Sequence, residues 1–224
     1  WMRQLFAKYE LQDIPRHNDF VKALDKVEKS VERASRSTHQ LLGFVGNSES
    51  TIAEVNLMEL IEEAIQLISH EAQNRDIRIV RQMEPSADTI WSDPYQLRQV
   101  LLNLLTNAVQ AVNSAGTITI TAEDVGDSHA ITVSDTGQGI PRENLDKIFE
   151  PFFSTKSPGQ GTGLGLFVSR GIVEKLGGTL EVASKIGQGA SFSIRLPKQL
   201  RNTDDYNECR GENWVERIKS RFIE

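Results

Sequence analysis

Two clusters of glycines lie close together in the stretch from Ser134 to Val173, "SDTGQGIPRENLDKIFEPFFSTKSPGQGTGLGLFVSRGIV". The first cluster, Gly137 and Gly139, follows an alternating sequence that predicts a β-strand. The second, residues 161 to 165, precedes a sequence that predicts a helix. Glycine has no Cβ atom, so its backbone can adopt positive φ angles and approach a ligand closely. The pattern therefore indicates two loops around a binding site.

Each glycine cluster lies next to a group that can bind a ligand. Asp135 ends the predicted strand and can point a carboxylate into a pocket beside Gly137 and Gly139. Gly161, Gly163 and Gly165 precede a helix, where backbone N–H groups and the helix dipole can bind an anion. Each pattern taken alone also fits an ordinary turn. A Rossmann site is excluded because no strand precedes the second cluster in a βαβ unit, and a Walker loop is excluded because its Gly-Lys-Ser/Thr ending is missing.

The segment between the clusters, "IFEPFFSTKSPGQ", combines aromatic side chains with glycine, proline and serine. This composition predicts a mobile lid that docks its rings when it closes. Lys156 follows the phenylalanines and is placed to reach a phosphate group.

A helix predicted to begin after Asp93 contains "NLLTNAVQA". Asn103 and Asn107 are four residues apart, so both lie on one face of this helix. Two such amides can offer oxygens to a cation or donors to phosphate. They can equally be solvated or hydrogen-bonded locally, as asparagines within helices often are.

Composition excludes several classes of protein. The net charge is −6 and no block of lysine or arginine occurs, so a nucleic-acid-binding surface is not expected. The single cysteine, Cys209, excludes an internal disulfide framework and is typical of a reducing compartment. The apolar run from Val100 to Leu105 is far shorter than the ~20 residues of a membrane helix. We therefore expect a cytoplasmic location and no membrane contact within this sequence, although a longer parent protein can be membrane-anchored.

Three segments are predicted along the chain: residues 1–50, 51–198 and 199–224. From Phe20 to Val45, apolar or small residues recur in steps of three and four between charged positions, which predicts a long helix with a narrow seam. Such a helix fits the interior of a bundle or a homodimer equally well. Residues 51–198 alternate helix and strand patterns, and residues 199–224 are a polar tail or linker.

The ordered series "NLLTNAVQA", "DTGQGI", "IFEPFFSTK" and "GTGLGL" closely resembles the ATP-binding catalytic domain of sensor histidine kinases, within the wider group that includes gyrase B, Hsp90 and MutL. The lid sequence is most similar to kinases of the nitrogen-regulatory type. The resemblance implies an α+β fold: a two-layer α/β sandwich of the Bergerat type, with a mixed sheet covered by helices on one face. It also identifies the heptad-patterned helix as the C-terminal part of the dimerisation hairpin that precedes this domain.

The resemblance also implies roles for particular residues. Asn107 and Lys156 would be catalytic, and Asn107 with Asn103 would hold Mg²⁺ against the ATP phosphates. Asp135 would accept a hydrogen bond from the adenine amino group, while Phe149, Phe152 and Phe153 would anchor the lid. The complete set implied to bind nucleotide is Asn103, Asn107, Asp135, Gly137, Gly139, Ile140, Phe149, Phe153, Lys156, Gly161, Thr162, Gly163, Leu164, Gly165 and Ser191.

The implied reaction is transfer of the γ-phosphoryl group of Mg²⁺·ATP to a histidine, for relay to a response regulator by a homodimer. None of the four histidines (His17, His39, His70 and His129) has the acidic residue and following proline that mark the family's acceptor. We therefore expect the acceptor upstream of Trp1, and no autophosphorylation by these residues alone.

Three alternatives stay open at this point. A non-catalytic module that dimerises and binds nucleotide is one, although the intact glycines, asparagines and Lys156 argue against it. A serine kinase of the anti-sigma type is another, and the heptad-patterned helix argues against that. An ATP-driven clamp like MutL would need a longer chain.

Overall fold

The computed structural model describes residues 21–24, 26–27, 51–156 and 161–198. The chain divides into two compact units, Trp1–Leu42 and Gly43–Glu224. Within the first unit, residues 21–24 and 26–27 are helical, which agrees with the heptad pattern. The rest of that predicted helix and the predicted tail lie outside the described residues.

The second unit contains three helices and seven strands in its described ranges. In chain order these are β1 (Ala53–Asn56), α1 (Leu57–Gln73), β2 (Ile77–Met83), β3 (Thr89–Ser92), α2 (Pro94–Ala111), β4 (Gly116–Val125), β5 (Ser128–Asp135), α3 (Gly165–Lys175), β6 (Thr179–Ser184) and β7 (Ala190–Pro197). Short 3₁₀ turns occur at Pro85–Ala87, Arg142–Asn144 and Lys147–Phe149.

Five strands form a mixed sheet in the order β2-β4-β5-β7-β6. The β2–β4 pair is parallel, and the other three pairs are antiparallel. Strands β1 and β3 form a separate antiparallel pair. Successive side chains of a strand point to opposite faces, and the sequence alternates accordingly: Ile118, Ile120, Ile131 and Val133 are all buried.

The other two helices, α1 and α3, pack against α2, which also contacts strand β5. The buried positions of α2 recur at helical spacing, with Leu97, Leu101, Leu104 and Leu105 each at most 1 % exposed. This stripe holds α2 on the core, so its opposite face is free to carry polar side chains. A mixed sheet with helices layered against it is the architecture that the sequence motifs predict.

Two of the helices begin at side-chain caps that the sequence marks. Asn56 accepts a hydrogen bond from the N–H of Glu59 at 3.0 Å and starts α1. Asp93 accepts from the N–H groups of Tyr95 and Gln96, each at 3.0 Å, and Pro94 fills the first position of α2. Both boundaries agree with the sequence prediction.

A helix that spans a bilayer has about 20 consecutive, predominantly apolar residues. Within the described ranges, no helix combines the length and the apolar composition that crossing a bilayer requires.

Substitution of the α2 cap tests its contribution to stability. Asp93 is 6 % exposed and its other oxygen accepts a hydrogen bond from the Gln96 side chain at 2.8 Å, so Asp93→Ala leaves a buried amide without this acceptor. We expect Asp93→Ala to lower the free energy of unfolding by about 2 kcal/mol or more. Urea unfolding measures the change. The exposed cap variant Asn56→Ala is the control and should cost about 1 kcal/mol; equal losses for both variants would contradict a role for the Gln96 contact.

Candidate functional site

Asp135 lies at the C-terminal end of the central strand β5, and only 7 % of it is exposed. Its Oδ1 accepts a hydrogen bond from the N–H of Gly137 at 2.8 Å, and the N–H of Ala190 also donates to the carboxyl group. Burial raises the pKa of Asp135 above its usual range, and the two N–H donors oppose that shift only in part. A carboxylate held in this way favours a partner that brings a further hydrogen-bond donor.

The first glycine cluster lets the chain after Asp135 pass between two other backbones. A Cβ atom on Gly137 would lie 2.5 Å from the carbonyl oxygen of Ala111, at the end of α2. Gly139 has φ +71°, and a Cβ there would overlap the Lys185 carbonyl in the β6–β7 turn. The next residue, Ile140, is half-buried, and its N–H donates to Ser184 Oγ at 2.8 Å. The loop is therefore tightly packed beside Asp135, and a larger residue at position 137 or 139 would force the neighbouring backbones apart.

The lid phenylalanines do not all have the predicted role. Phe149 and Phe153 are partly buried against the core, as expected of anchors, and the Arg170 guanidinium lies 5.5 Å from the Phe149 ring centre. Phe152 is 61 % exposed instead, and its φ of +65° is unusual for a bulky residue. Its N–H donates to the Gly163 carbonyl at 3.0 Å, which fixes the backbone while directing the ring outward.

The second glycine cluster joins the lid to α3. Gly163 has φ +67°, and a Cβ there would overlap the backbone of Phe152. Thr162 Oγ1 accepts from the N–H of Leu164 at 3.3 Å, and α3 begins at Gly165 without a side-chain cap. The first turn of α3 therefore presents backbone N–H groups beside the lid. Residues 157–160, which connect Lys156 to this cluster, lie outside the described residues.

The two asparagines of α2 share a face, as predicted, but contact different elements. Asn103 Nδ2 donates to Ser169 Oγ on α3 at 2.8 Å, and a Cβ atom on Gly165 would overlap Asn103 Oδ1. Asn107 Oδ1 instead accepts a hydrogen bond from Lys156 Nζ of the lid at 3.3 Å. The first amide thus ties α2 to α3, and the second ties it to the lid.

Lys156 is half-buried and has a second acceptor on α2. Its Nζ donates to Gln110 Oε1 as well as to Asn107 Oδ1. Burial lowers the pKa of Lys156 below its usual range, and the nearby negative charge of Glu71 opposes the shift. The Asn107 oxygen therefore faces the ammonium group of the lid lysine. The described residues contain no group of three or more histidine, cysteine, aspartate or glutamate side chains that could hold a metal.

Ser191 points to a different face of the sheet from Asp135. Its hydroxyl lies 2.7 Å from the hydroxyl of Ser134, which precedes Asp135 in β5 and so points to the opposite face of the sheet. Ala190, the neighbour of Ser191, is the buried residue whose N–H reaches the Asp135 carboxyl. Successive residues of a strand point to opposite faces, so the Ser191 side chain lies on the face opposite that of Asp135, and its predicted place near the adenine stays a prediction.

Sequence reasoning also missed Gln110. It lies in the quoted helix motif three residues after Asn107, on the same face of α2. This spacing was the available signal, because an amide at that position extends the polar row formed by Asn103 and Asn107.

A family model described as histidine kinase-, DNA gyrase B-, and HSP90-like ATPase matches residues 92–200 of this chain. The sensor histidine kinase ZraS of Escherichia coli (strain K12) is 38 % identical over 198 residues. That match covers 88 % of this chain and 42 % of the relative, so the chain spans less than half of the curated protein.

Two solved kinases have similar folds. The catalytic domain of histidine kinase ThkA, nucleotide-free, matches with a TM-score of 0.61 and 36 % identity, covering 66 % of this chain and 96 % of that domain. ThkA in complex with response regulator protein TrrA matches with a TM-score of 0.69 and 26 % identity, over 87 % of this chain and 56 % of that one. Full-length ShkA in complex with AMPPNP matches with a TM-score of 0.68 and 28 % identity, over 82 % and 39 % of the two chains.

The raised pKa of Asp135 predicts how the free energy of unfolding changes with pH. Because the folded pKa is raised, the folded chain binds this proton more tightly than the unfolded chain does. Stability from this group therefore falls as pH rises from the ordinary value of 3.8 through the folded pKa. We expect wild type to lose stability relative to Asp135→Asn over that range, as measured by urea unfolding at a series of pH values.

The control for this comparison is Asp124, which is paired with Lys198 at 2.6 Å and whose pKa is lowered chiefly by that contact. Its contribution has the opposite sign: stability is present above the unfolded pKa and is lost as pH falls. Wild type should therefore gain stability relative to Asp124→Asn as pH rises. The same trend for both variants would show that Asp135 is not the group responsible.

Proposed function

Because this chain belongs to the sensor histidine kinases, in the family of histidine kinase-, DNA gyrase B- and HSP90-like ATPases, we propose that its site binds ATP with Mg²⁺ and supplies the γ-phosphoryl group for transfer to a histidine. The chain carries the ATP-binding catalytic portion of such a kinase, so the family expected from the motifs is confirmed. The nitrogen-regulatory subtype stays a prediction.

The observation that carries the proposal is the buried carboxylate of Asp135. An adenine ring has an exocyclic amino group that donates hydrogen bonds, and Asp135 is an acceptor at the end of β5 with the backbone of Gly137 beside it. Because Gly137 and Gly139 carry no side chain, the backbone after Asp135 packs directly against the end of α2 and the β6–β7 turn beside the carboxylate. Ile140 continues this loop as a half-buried apolar residue.

The phosphates would lie between α2, the lid and the start of α3. Lys156 supplies a positive charge there, and the backbone from Gly161 to Gly165 supplies N–H donors. Asn107, with its oxygen already facing a cationic group, would hold Mg²⁺, and Asn103 would do so from its position beside Gly165. When bound, Mg²⁺ neutralises charge on the phosphate oxygens. The protein's own work is to orient the phosphates and exclude water, rather than to form a covalent bond.

None of the histidines in the described ranges fits the role of phosphoryl acceptor. His129 is 2 % exposed, and its Nε2 lies 3.1 Å from the carbonyl oxygen of Thr89. His70 lies in the last turn of α1 with its Nδ1 against the Asn74 side chain at 3.1 Å. His17 and His39 lie outside the described residues. We therefore propose that these 224 residues bind nucleotide without phosphorylating themselves.

The proposal extends to partners. ThkA, a relative of similar fold, forms a complex with a response regulator, so a receiver domain is the proposed recipient of the phosphoryl group. The heptad pattern from Phe20 supports assembly as a homodimer. ATP is supplied in the cytoplasm, which is the proposed location of this portion of the kinase.

Removal of the Asn107 amide tests the metal and phosphate end of the site. Asn107→Ala deletes the oxygen proposed for Mg²⁺, so the gain in nucleotide affinity on adding Mg²⁺ should fall by about tenfold or more. Calorimetric titration of ADP into the 224-residue chain, with Mg²⁺ and with a chelator, measures this gain. Circular dichroism should show an unchanged fold, because Asn107 is not a core residue.

The matched control is Asn113→Ala, which removes an exposed amide just beyond α2. This variant should keep the wild-type affinity and the wild-type response to Mg²⁺. An Asn107→Ala variant that retained the full effect of Mg²⁺ would contradict the assignment of Asn107, and a wild-type chain that bound no adenine nucleotide would contradict the proposed function.

Incubation with γ-labelled ATP tests the absence of an acceptor. We expect no acid-labile phosphohistidine on the purified 224-residue chain, because none of its histidines is followed by both an acidic residue and a nearby proline. The measurement is protein-bound label before and after mild acid. Stable incorporation of about one label per chain that acid removes would overturn this part of the proposal while leaving nucleotide binding intact.

A further inference from the structure

Lys156 reaches α2 through two amides that are three residues apart. Its ammonium group has three N–H donors and no acceptor. One donor reaches Asn107 Oδ1 at 3.3 Å, and another reaches Gln110 Oε1. Asn107 and Gln110 lie on one face of α2, so together they form a clamp for a single cation. The proposed metal site uses only the Asn107 half of this clamp.

Local contacts fix the direction in which the Lys156 side chain extends toward α2. The N–H of Lys156 donates to Ser154 Oγ at 3.2 Å, which fixes the backbone before the side chain turns toward α2. A Cβ atom added at Gly161 would lie 3.3 Å from Lys156 Cδ, so the aliphatic stem passes directly over that glycine. The Lys156 side chain therefore reaches α2 by packing over Gly161, and a larger residue at 161 would crowd this side chain.

Asn107 and Gln110 cannot both keep their hydrogen bonds to Lys156 when Mg²⁺·nucleotide binds. Under the proposed function, on which this inference rests, Asn107 Oδ1 becomes a metal ligand. An ammonium group and a divalent cation repel each other, so they cannot share one oxygen at close range. Gln110 lies nearly one helical turn beyond Asn107 and is outside the proposed metal site, so it can keep its hydrogen bond to Lys156.

We propose that Gln110 is a positioning residue that tethers Lys156 to α2, so that Asn107 can exchange the ammonium group for Mg²⁺ while Lys156 stays beside the phosphates. In the empty site, both amides hold the lysine. In the loaded site, Gln110 alone holds it, and the released donors turn to phosphate oxygens. Gln110 acts only through Lys156 and makes no contact with the nucleotide.

A double-mutant cycle tests whether Gln110 acts through Lys156. Gln110→Leu keeps the approximate size of the side chain and removes the acceptor, and Lys156→Met keeps the stem and removes the charge. We expect Gln110→Leu to weaken Mg²⁺·ADP binding roughly five-fold in the wild-type background, the equivalent of one hydrogen bond of about 1 kcal/mol. The same substitution should have no further effect in the Lys156→Met background.

The control for the cycle is Gln66→Leu, which alters an exposed glutamine on α1 and should leave the affinity unchanged. Equal losses from Gln110→Leu in both backgrounds would mean that Gln110 contacts the nucleotide directly, and no loss in either would mean that it has no role. Either result overturns the tether. A wild-type chain that fails to bind Mg²⁺·ADP would refute the proposed function and the tether together.

Side-chain amide resonances provide a readout independent of affinity. In the nucleotide-free protein, Lys156→Met should shift the side-chain NH₂ signals of both Asn107 and Gln110. With Mg²⁺·ADP bound, Lys156→Met should still shift the Gln110 signal and should no longer shift that of Asn107. A Gln110 signal that is insensitive to Lys156→Met in the loaded protein would overturn the exchange.

Discussion

The burial of one side of α2 is the constraint on which the rest of the site depends. Leu97, Leu101, Leu104 and Leu105 are almost fully enclosed between the sheet and the other helices. Burial of each of these side chains contributes ~1.5–3 kcal/mol, so the helix cannot rotate about its axis without a large loss. The rotation of α2 in turn fixes where its polar face points, and Asn103, Asn107 and Gln110 all lie on that face. The same packing that stabilises the domain therefore sets the direction of the proposed metal and phosphate ligands.

Close contact between backbones builds the other end of the site. The chain after Asp135 passes the end of α2 at Gly137 and the β6–β7 turn at Gly139, and both contacts need glycine because a Cβ atom would overlap a carbonyl group. Gly189 is equally tight, since a Cβ there would overlap the carbonyl of Asp135 itself. The loop after Asp135, the end of α2 and the β6–β7 turn therefore pack together beside one carboxylate. Burial of this carboxylate disfavours its charged form, and its two N–H donors offset that cost only in part.

The electrostatics of the two ends are complementary to a nucleotide. Asp135 is an acceptor whose burial raises its pKa, and Lys156 is a cation whose burial lowers its pKa. Each charge is therefore held less favourably than it would be in water. A ligand that offers an amino group at one end and phosphate oxygens at the other relieves both costs. This complementarity supports the proposal that Asp135 and Lys156 belong to one nucleotide site.

The sequence by itself determined the elements and the chemistry that they carry. The caps at Asn56 and Asp93, the apolar period of α2, the alternation of β4 and β5 and the glycine clusters are local patterns, and local sterics and hydrogen bonding are sufficient to interpret them. Tertiary structure alone decided which distant groups meet. Lys156 contacts Asn107 and Gln110 across 49 and 46 positions of sequence, and Asn103 contacts Ser169 across 66. Periodicity fixes which residues share a face, but only packing selects the element that covers it. For the same reason Phe152 points outward and Ala190, rather than Ser191, faces Asp135.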